Sequence, residues 1–194
     1  LSGEGHWESL CWEKHPSMVF DLASLTKGLF TAPKIFEMAC RNGWPLDKPI
    51  GTFLGSKLGN SLVPAIKDLT LSSLLSHRSG LPAWANLWVE CENQTFSTQE
   101  KLLFHLNRAA DRLSPAQGMV YSDLGYLLLG AIIENESGMS LEECLQAWNR
   151  SSGSGLTFSP DNLLCAPTGY CPWRARELRG EVHDENCFSQ KGMC

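Results

Sequence analysis

An α+β fold is predicted from three observations: apolar residues recur at helical spacing through the middle of the chain, both ends are weakly periodic, and no internal repeat occurs. The chain has 194 residues, of which 43% are hydrophobic and 19% charged, enough to bury the core of one ordinary domain. A formal net charge of -5 without any Lys/Arg block leaves nothing to neutralise phosphates, so no nucleic-acid partner is expected. No apolar run approaches the roughly 18 residues of a membrane span. The opening L-S-G-E-G-H-W lacks the charged and apolar regions of a signal peptide, which leaves cytoplasm and periplasm open as locations.

Taken in order, residues 1 to 19 alternate weakly and suit one or two short strands. From Asp21, the residues Leu22, Leu25, Leu29, Ile35, Phe36, Met38 and Ala39 recur in steps of three and four until Asn42-Gly43, predicting a helix that Pro33 should kink. A Pro- and Gly-punctuated loop is expected from there to about Lys67. Thr70 caps a short helix, L-S-S-L-L-S-H, with Gly80 as its left-handed terminator. Ser97-Thr98-Gln99-Glu100 is a capping box opening a helix to about Ala110. After the turn at 114 to 118, Tyr121-Ser122-Asp123 leads into an apolar helix ending near Gly138, in which Gly125 and Gly130 imply close packing against another backbone. A second capping box, Ser140 with Glu143, opens one more helix before the S-S-G-S-G linker at 151 to 155.

Eight cysteines, Cys11, Cys40, Cys91, Cys144, Cys165, Cys171, Cys187 and Cys194, would suit disulfides in an oxidising compartment. Cys40 and Cys144 fall among apolar residues of helical patterns, where a free thiol acts as a small core residue, and reduced thiols are the favoured reading. Sequons at Asn93, Asn135 and Asn149 occur at about chance frequency.

The run F-D-L-A-S-L-T-K-G-L-F, 20 to 30, sets Ser24 and Lys27 three residues apart, one helical turn, so that Oγ and Nζ can meet. A serine hydroxyl becomes a useful nucleophile when a neighbouring base takes its proton, and a lysine can do so only if its pKa is lowered toward neutrality. The apolar residues around Lys27 are expected to supply that desolvation, and the amides of the first turn to stabilise a developing oxyanion. A Ser-x-x-Lys match arises about once by chance in a chain like this. Alone, the pair favours the ordinary reading, Ser24 as a residue at a helix N-terminus and Lys27 as an exposed lysine whose stem covers apolar surface.

The context is more specific. D-L-A-S-L-T-K resembles the nucleophile motif of the β-lactamase-related serine hydrolases, which include class C β-lactamases, D,D-peptidases and related esterases. Y-S-D-L-G-Y-L-L-L-G at 121 to 130 is similar to that family's Tyr-x-Asn motif at a helix start. L-L-S-H-R-S-G-L-P at 74 to 82 and A-P-T-G-Y-C-P-W-R-A-R-E-L-R-G-E-V-H-D-E-N near the end are similar to further family segments. The resemblance implies a penicillin-binding-protein-like fold: one partial domain over 1-194, helical over roughly 21-150, with remnants of an α/β part at 1-20 and 156-194. It implies Ser24 as the acylated nucleophile, Lys27 as its proton partner and Tyr121 as base or relay, since a phenolate is stabilised beside an ammonium.

Asp123 stands where the family more often has Asn, and would contact substrate. An ionised Asp only accepts, so binding of an acylamino group should suffer, and Asp123 near Lys27 would hold it charged and shift the base role to Tyr121. A plain helix N-cap is the competing reading of Asp123. His77 reads as a structural histidine bonding nearby backbone. His183, Asp184 and Glu185 with Cys165, Cys171 and Cys187 raise a zinc site, although C-x5-C is not a standard knuckle pair. The chain reaches K-G-M-C about where the resemblance would have the strand carrying the family's third motif, Lys/His-x-Gly, begin, so the fold is expected to be incomplete at the C-terminus and open to self-association through an unfinished sheet. Three functions follow: a serine hydrolase acting through an acyl-enzyme on a small ester, amide, β-lactam or peptide; an inactive binding or structural module of the same fold; or a small zinc-binding protein. The first requires no cofactor or metal.

Overall fold

The computed structural model describes residues 18–87, 97–114, 118–160, 164–172 and 174–184. The chain divides into two compact units, Leu1–Asp21 with Ser159–Glu181, and Leu22–Phe158 with Val182–Cys194. The larger is helical. A π-helical stretch, Lys27–Thr31, closes with the Ala32 N–H donating to the Lys27 carbonyl, and α1 follows at Ala32–Asn42. Pro33 has no N–H to continue either ladder and falls in the first turn of α1, where none is needed. Gly43, at φ 65°, ends α1 in the left-handed conformation.

The stretch expected to be a loop instead folds into short helices: a 3-10 turn at Ile50–Thr52, α2 at Ser56–Ser61 and α3 at Pro64–Lys67. They bury Ile50, Leu58, Leu62 and Ile66. Pieces this short hold too few turns to declare a period, so tertiary burial forms them. Helix α4, Leu71–Leu75, begins at a reciprocal Thr70/Ser73 cap but ends at Ser76, well before Gly80. Gly80 is left-handed at φ 76°, yet so is His77 at φ 57°, and it is there that the chain leaves the helix.

Both capping boxes form. Ser97 opens α5, Thr98–Ala109, and Ser140 opens α7, Leu141–Ser152. Between them in sequence lies α6, Asp123–Ser137, capped by the Ser122 side chain and terminated by left-handed Gly138. Leu124, Leu128, Leu129, Ile132 and Ile133 of α6 are sealed among Leu71, Leu74, Leu81, Leu102 and Leu106, so α6 is the axis of the core. A Cβ at Gly125 would meet the Leu74 side chain at 3.6 Å and the Leu74 backbone carbonyl at 3.9 Å, so another backbone does pack there, whereas at Gly130 it would meet only the Leu141 side chain at 3.5 Å. Cys144 is buried as expected, but Cys40 is exposed, because α1 turns it away from the face carrying Ile35, Met38 and Ala39. Leu25 and Leu29 are likewise exposed rather than core. No helix among the described residues is long and apolar enough to cross a membrane.

In the smaller unit, β1, Pro167–Cys171, pairs antiparallel with β2, Arg176–Arg179, with an irregularity between Pro167 and Gly169. Val19 adds a single parallel bridge beside Cys165, its N–H donating to the Leu164 carbonyl. Most of the expected N-terminal strand region, 1 to 17, lies outside the described residues. Helices and a small antiparallel sheet together make the chain α+β.

Leu128→Ala, at a site with no solvent exposure, should lower unfolding free energy by about 3 kcal/mol. Leu25→Ala, 64% exposed, should change it by less than about 0.5 kcal/mol. Urea denaturation of the two variants measures the contrast.

Candidate active site

Ser24 sits in the turn that delivers the chain into the first helix. Ala23 before it has φ 44°, a left-handed conformation unfavourable for a residue with a Cβ. Lys27 opens the π-helical stretch, and its Nζ donates to Ser24 Oγ at 3.2 Å. The i to i+3 meeting expected from spacing is therefore made. Three of the amides expected to serve an oxyanion are already engaged: the N–H groups of Leu25, Thr26 and Lys27 donate to the carbonyls of Leu22, Ala23 and Ser24.

The N-terminus of α6 brings the remaining groups. Lys27 Nζ lies 2.7 Å from Asp123 Oδ1, with the lysine side chain 19% exposed and the aspartate 37%. Nζ also stands 5.1 Å from the Tyr121 ring centre and 5.8 Å from that of Tyr126, within cation–π range of both. Burial pulls the Lys27 pKa down, as the apolar surroundings suggested, but hydrogen bonds to Asp123 and Tyr121 and the Asp123 charge outweigh it. The net displacement is upward from the ordinary lysine value, opposite to what a lysine base requires. The carboxylate that sequence reading placed near Lys27 is the cause.

Asp123 is not the helix cap. That role belongs to Ser122, whose Oγ accepts from the Gly125 N–H and donates to the Pro82 carbonyl at 2.7 Å, leaving the Asp123 carboxylate free to face Lys27. His77 does bond backbone, its Nδ1 accepting from the Ser122 N–H at 3.0 Å. Its ring also stacks on Tyr121 at 4.4 Å between centres and on Tyr126 at 5.0 Å. Tyr126, whose hydroxyl donates to the Leu75 carbonyl, was not singled out from sequence. Its place five residues after Tyr121, on the helix that carries Asp123, was the available signal. Burial raises its phenol pKa, so it stays neutral.

Ser24, Lys27, Tyr121 and Asp123 are thus gathered around one ammonium. The proposed zinc ligands are not: among the described residues no group of three or more His, Cys, Asp or Glu could hold a metal, and Glu185 and Cys187 lie outside them.

The family model described as Beta-lactamase matches residues 14–176, and the chain belongs to that family. It is 25% identical over 192 residues to an N-acetylmuramyl-L-alanine amidase of Bacillus subtilis (strain 168), covering 88% of this chain and 44% of the relative. It is 25% identical over 199 residues to a putative D-alanyl-D-alanine carboxypeptidase of Escherichia coli (strain K12), covering 90% and 45%. The chain therefore spans less than half the length of these curated relatives. Among solved structures, "Crystal structure of SurE" superposes with a TM-score of 0.56 at 22% identity over 91% of this chain and 39% of the other, which supports the fold.

Because the Lys27 pKa is raised in the folded state, its stabilising contribution is complete below the unfolded value and is lost as pH rises through the higher folded value. In Asp123→Asn the Lys27 pKa should fall, since the hydrogen-bonding carboxylate is gone while burial remains. Titration of the lysine side-chain resonances by NMR measures it, and an unchanged midpoint would contradict the assignment of cause.

Proposed function

We propose that the chain is a serine hydrolase acting through an acyl-enzyme on a small ester or amide, with Ser24 as nucleophile, Lys27 as charged proton partner and Tyr121 as base or relay. The observation that carries this is the convergence of the Ser24 hydroxyl and Tyr121 on a single ammonium from distant parts of the chain. Such convergence holds reacting groups in one geometry, which lowers the barrier to acyl transfer by removing the cost of bringing them together. Since Lys27 is held protonated, Tyr121 reacts as the phenolate paired with that ammonium and takes the Ser24 proton, becoming a neutral phenol, as Oγ attacks the carbonyl carbon. The proton then goes to the leaving alcohol or amine as its bond to that carbon breaks. Water, deprotonated along the same route, hydrolyses the acyl-Ser24 and releases the acid.

Asp123 shapes the substrate. As an acceptor it suits a substrate that presents an N–H or ammonium, and disfavours one that presents a carbonyl at that point. The names of the relatives, an amidase and a putative carboxypeptidase, support an amide or peptide; the replacement of Asn by Asp supports an ester. One observation favours the alternative of an inactive binding module: the 2.7 Å contact between Lys27 and Asp123 ties up the ammonium.

A fluorophosphonate probe should label Ser24, and Ser24→Ala should abolish labelling without unfolding the protein. Tyr121→Phe should slow labelling by about 10²-fold or more. A folded protein that stays unlabelled, while Asp123→Asn becomes labelled, would identify the binding module instead.

A further inference from the structure

His77 grips the residues on both sides of Tyr121. Its backbone carbonyl accepts from the Val120 N–H at 2.9 Å, and its Nδ1 accepts from the Ser122 N–H at 3.0 Å. Between these two anchors the Tyr121 side chain lies on the imidazole, ring centres 4.4 Å apart. The loop that follows continues the match: the Pro82 carbonyl accepts from Ser122 Oγ, and the Ala83 carbonyl accepts from the Asp123 N–H at 2.9 Å. Residues 77 to 83 therefore form a template on which 120 to 123 are laid. His77 holds the left-handed conformation, φ 57°, that aims carbonyl and imidazole at the same segment. A non-glycine residue is kept there only where its surroundings over-determine it.

We infer that His77 is a positioning residue for Tyr121, setting the phenol over Lys27 through the Val120 and Ser122 clamps and the ring stack, and that protonation of His77 releases the Ser122 clamp. The consequence for acyl transfer rests on the function proposed above; the structural coupling between His77 and Tyr121 does not. An imidazolium has no lone pair at Nδ1, so it cannot accept from Ser122. Among the described residues, the groups facing His77 are Lys27, Asp123, Tyr121 and Tyr126. Burial, then the Lys27 charge, lower its pKa, so the clamp is intact above the unfolded histidine value and is lost as pH falls through the lower folded one.

Two variants separate the parts of the device. His77→Asn tolerates the left-handed backbone and keeps an acceptor near the position of Nδ1, but removes the stacked ring. His77→Phe keeps a ring and removes the acceptor. The primary reading is the ring-carbon NMR signal of Tyr121, assigned against Tyr126→Phe and Tyr170→Phe, followed through an acid titration of the whole chain. In the wild type it should shift with the midpoint of the His77 imidazole, and that acid step should vanish in both variants. Fluorophosphonate labelling of Ser24 should slow by about 10²-fold in His77→Phe and less in His77→Asn. A Tyr121 signal that ignores the His77 titration overturns the inference, even if Ser24 is labelled normally. A coupled Tyr121 signal in a protein whose Ser24 is never labelled upholds the inference and overturns the proposed hydrolase instead.

Discussion

The site depends on how one half-buried ammonium is compensated. Lys27 cannot be withdrawn from water without partners, and it takes them from two distant segments: Ser24 one turn before it, and Tyr121 with Asp123 at the start of α6. The same contacts that gather the residues also decide the lysine's charge. With a carboxylate at 2.7 Å it remains an ammonium, a donor toward Ser24 and an electrostatic partner for whatever negative charge develops nearby. Assembly and chemistry are thus the same interaction seen twice. An amide at position 123 would keep the assembly and loosen the hold on the proton.

Local strain accompanies this assembly and the rest of the helical unit sustains it. Ala23 and His77 both adopt positive φ, one beside the proposed nucleophile and the other beneath Tyr121. Each is worth of the order of 1–3 kcal/mol of unfavourable backbone energy. What opposes it is a continuous apolar core running from Phe30 and Ile35 through Leu71, Leu74 and Leu81 to the buried face of α6. Helix α6 belongs to both: its first turn carries Asp123, and its middle turns bury Leu128, Leu129, Ile132 and Ile133 completely.

The span that matches the Beta-lactamase family model, 14–176, holds both the segment at 74 to 82 and the segment at 120 to 123. The segment at 74 to 82 has no reacting group of its own, yet its carbonyls and imidazole set the backbone of the segment at 120 to 123. Two motifs far apart in sequence are one structural object.

The residues alone were sufficient for features governed by neighbours three or four positions away. The capping boxes at Ser97 and Ser140, the glycine terminators at Gly43 and Gly138, and the reach of Lys27 to Ser24 all follow from helical dihedral geometry. Position 123 was legible too, because an Asp in place of an amide has a definite electrostatic consequence. Tertiary structure alone decided the rest: that Leu25, Leu29 and Cys40 face outward, that 50 to 67 is helical, that Ser122 rather than Asp123 caps α6, and that Lys27 gains more from its partners than it loses to burial. Each of these is a balance between groups remote in the chain, desolvation against pairing or burial against propensity. Its sign is set by distances that no local sequence pattern contains.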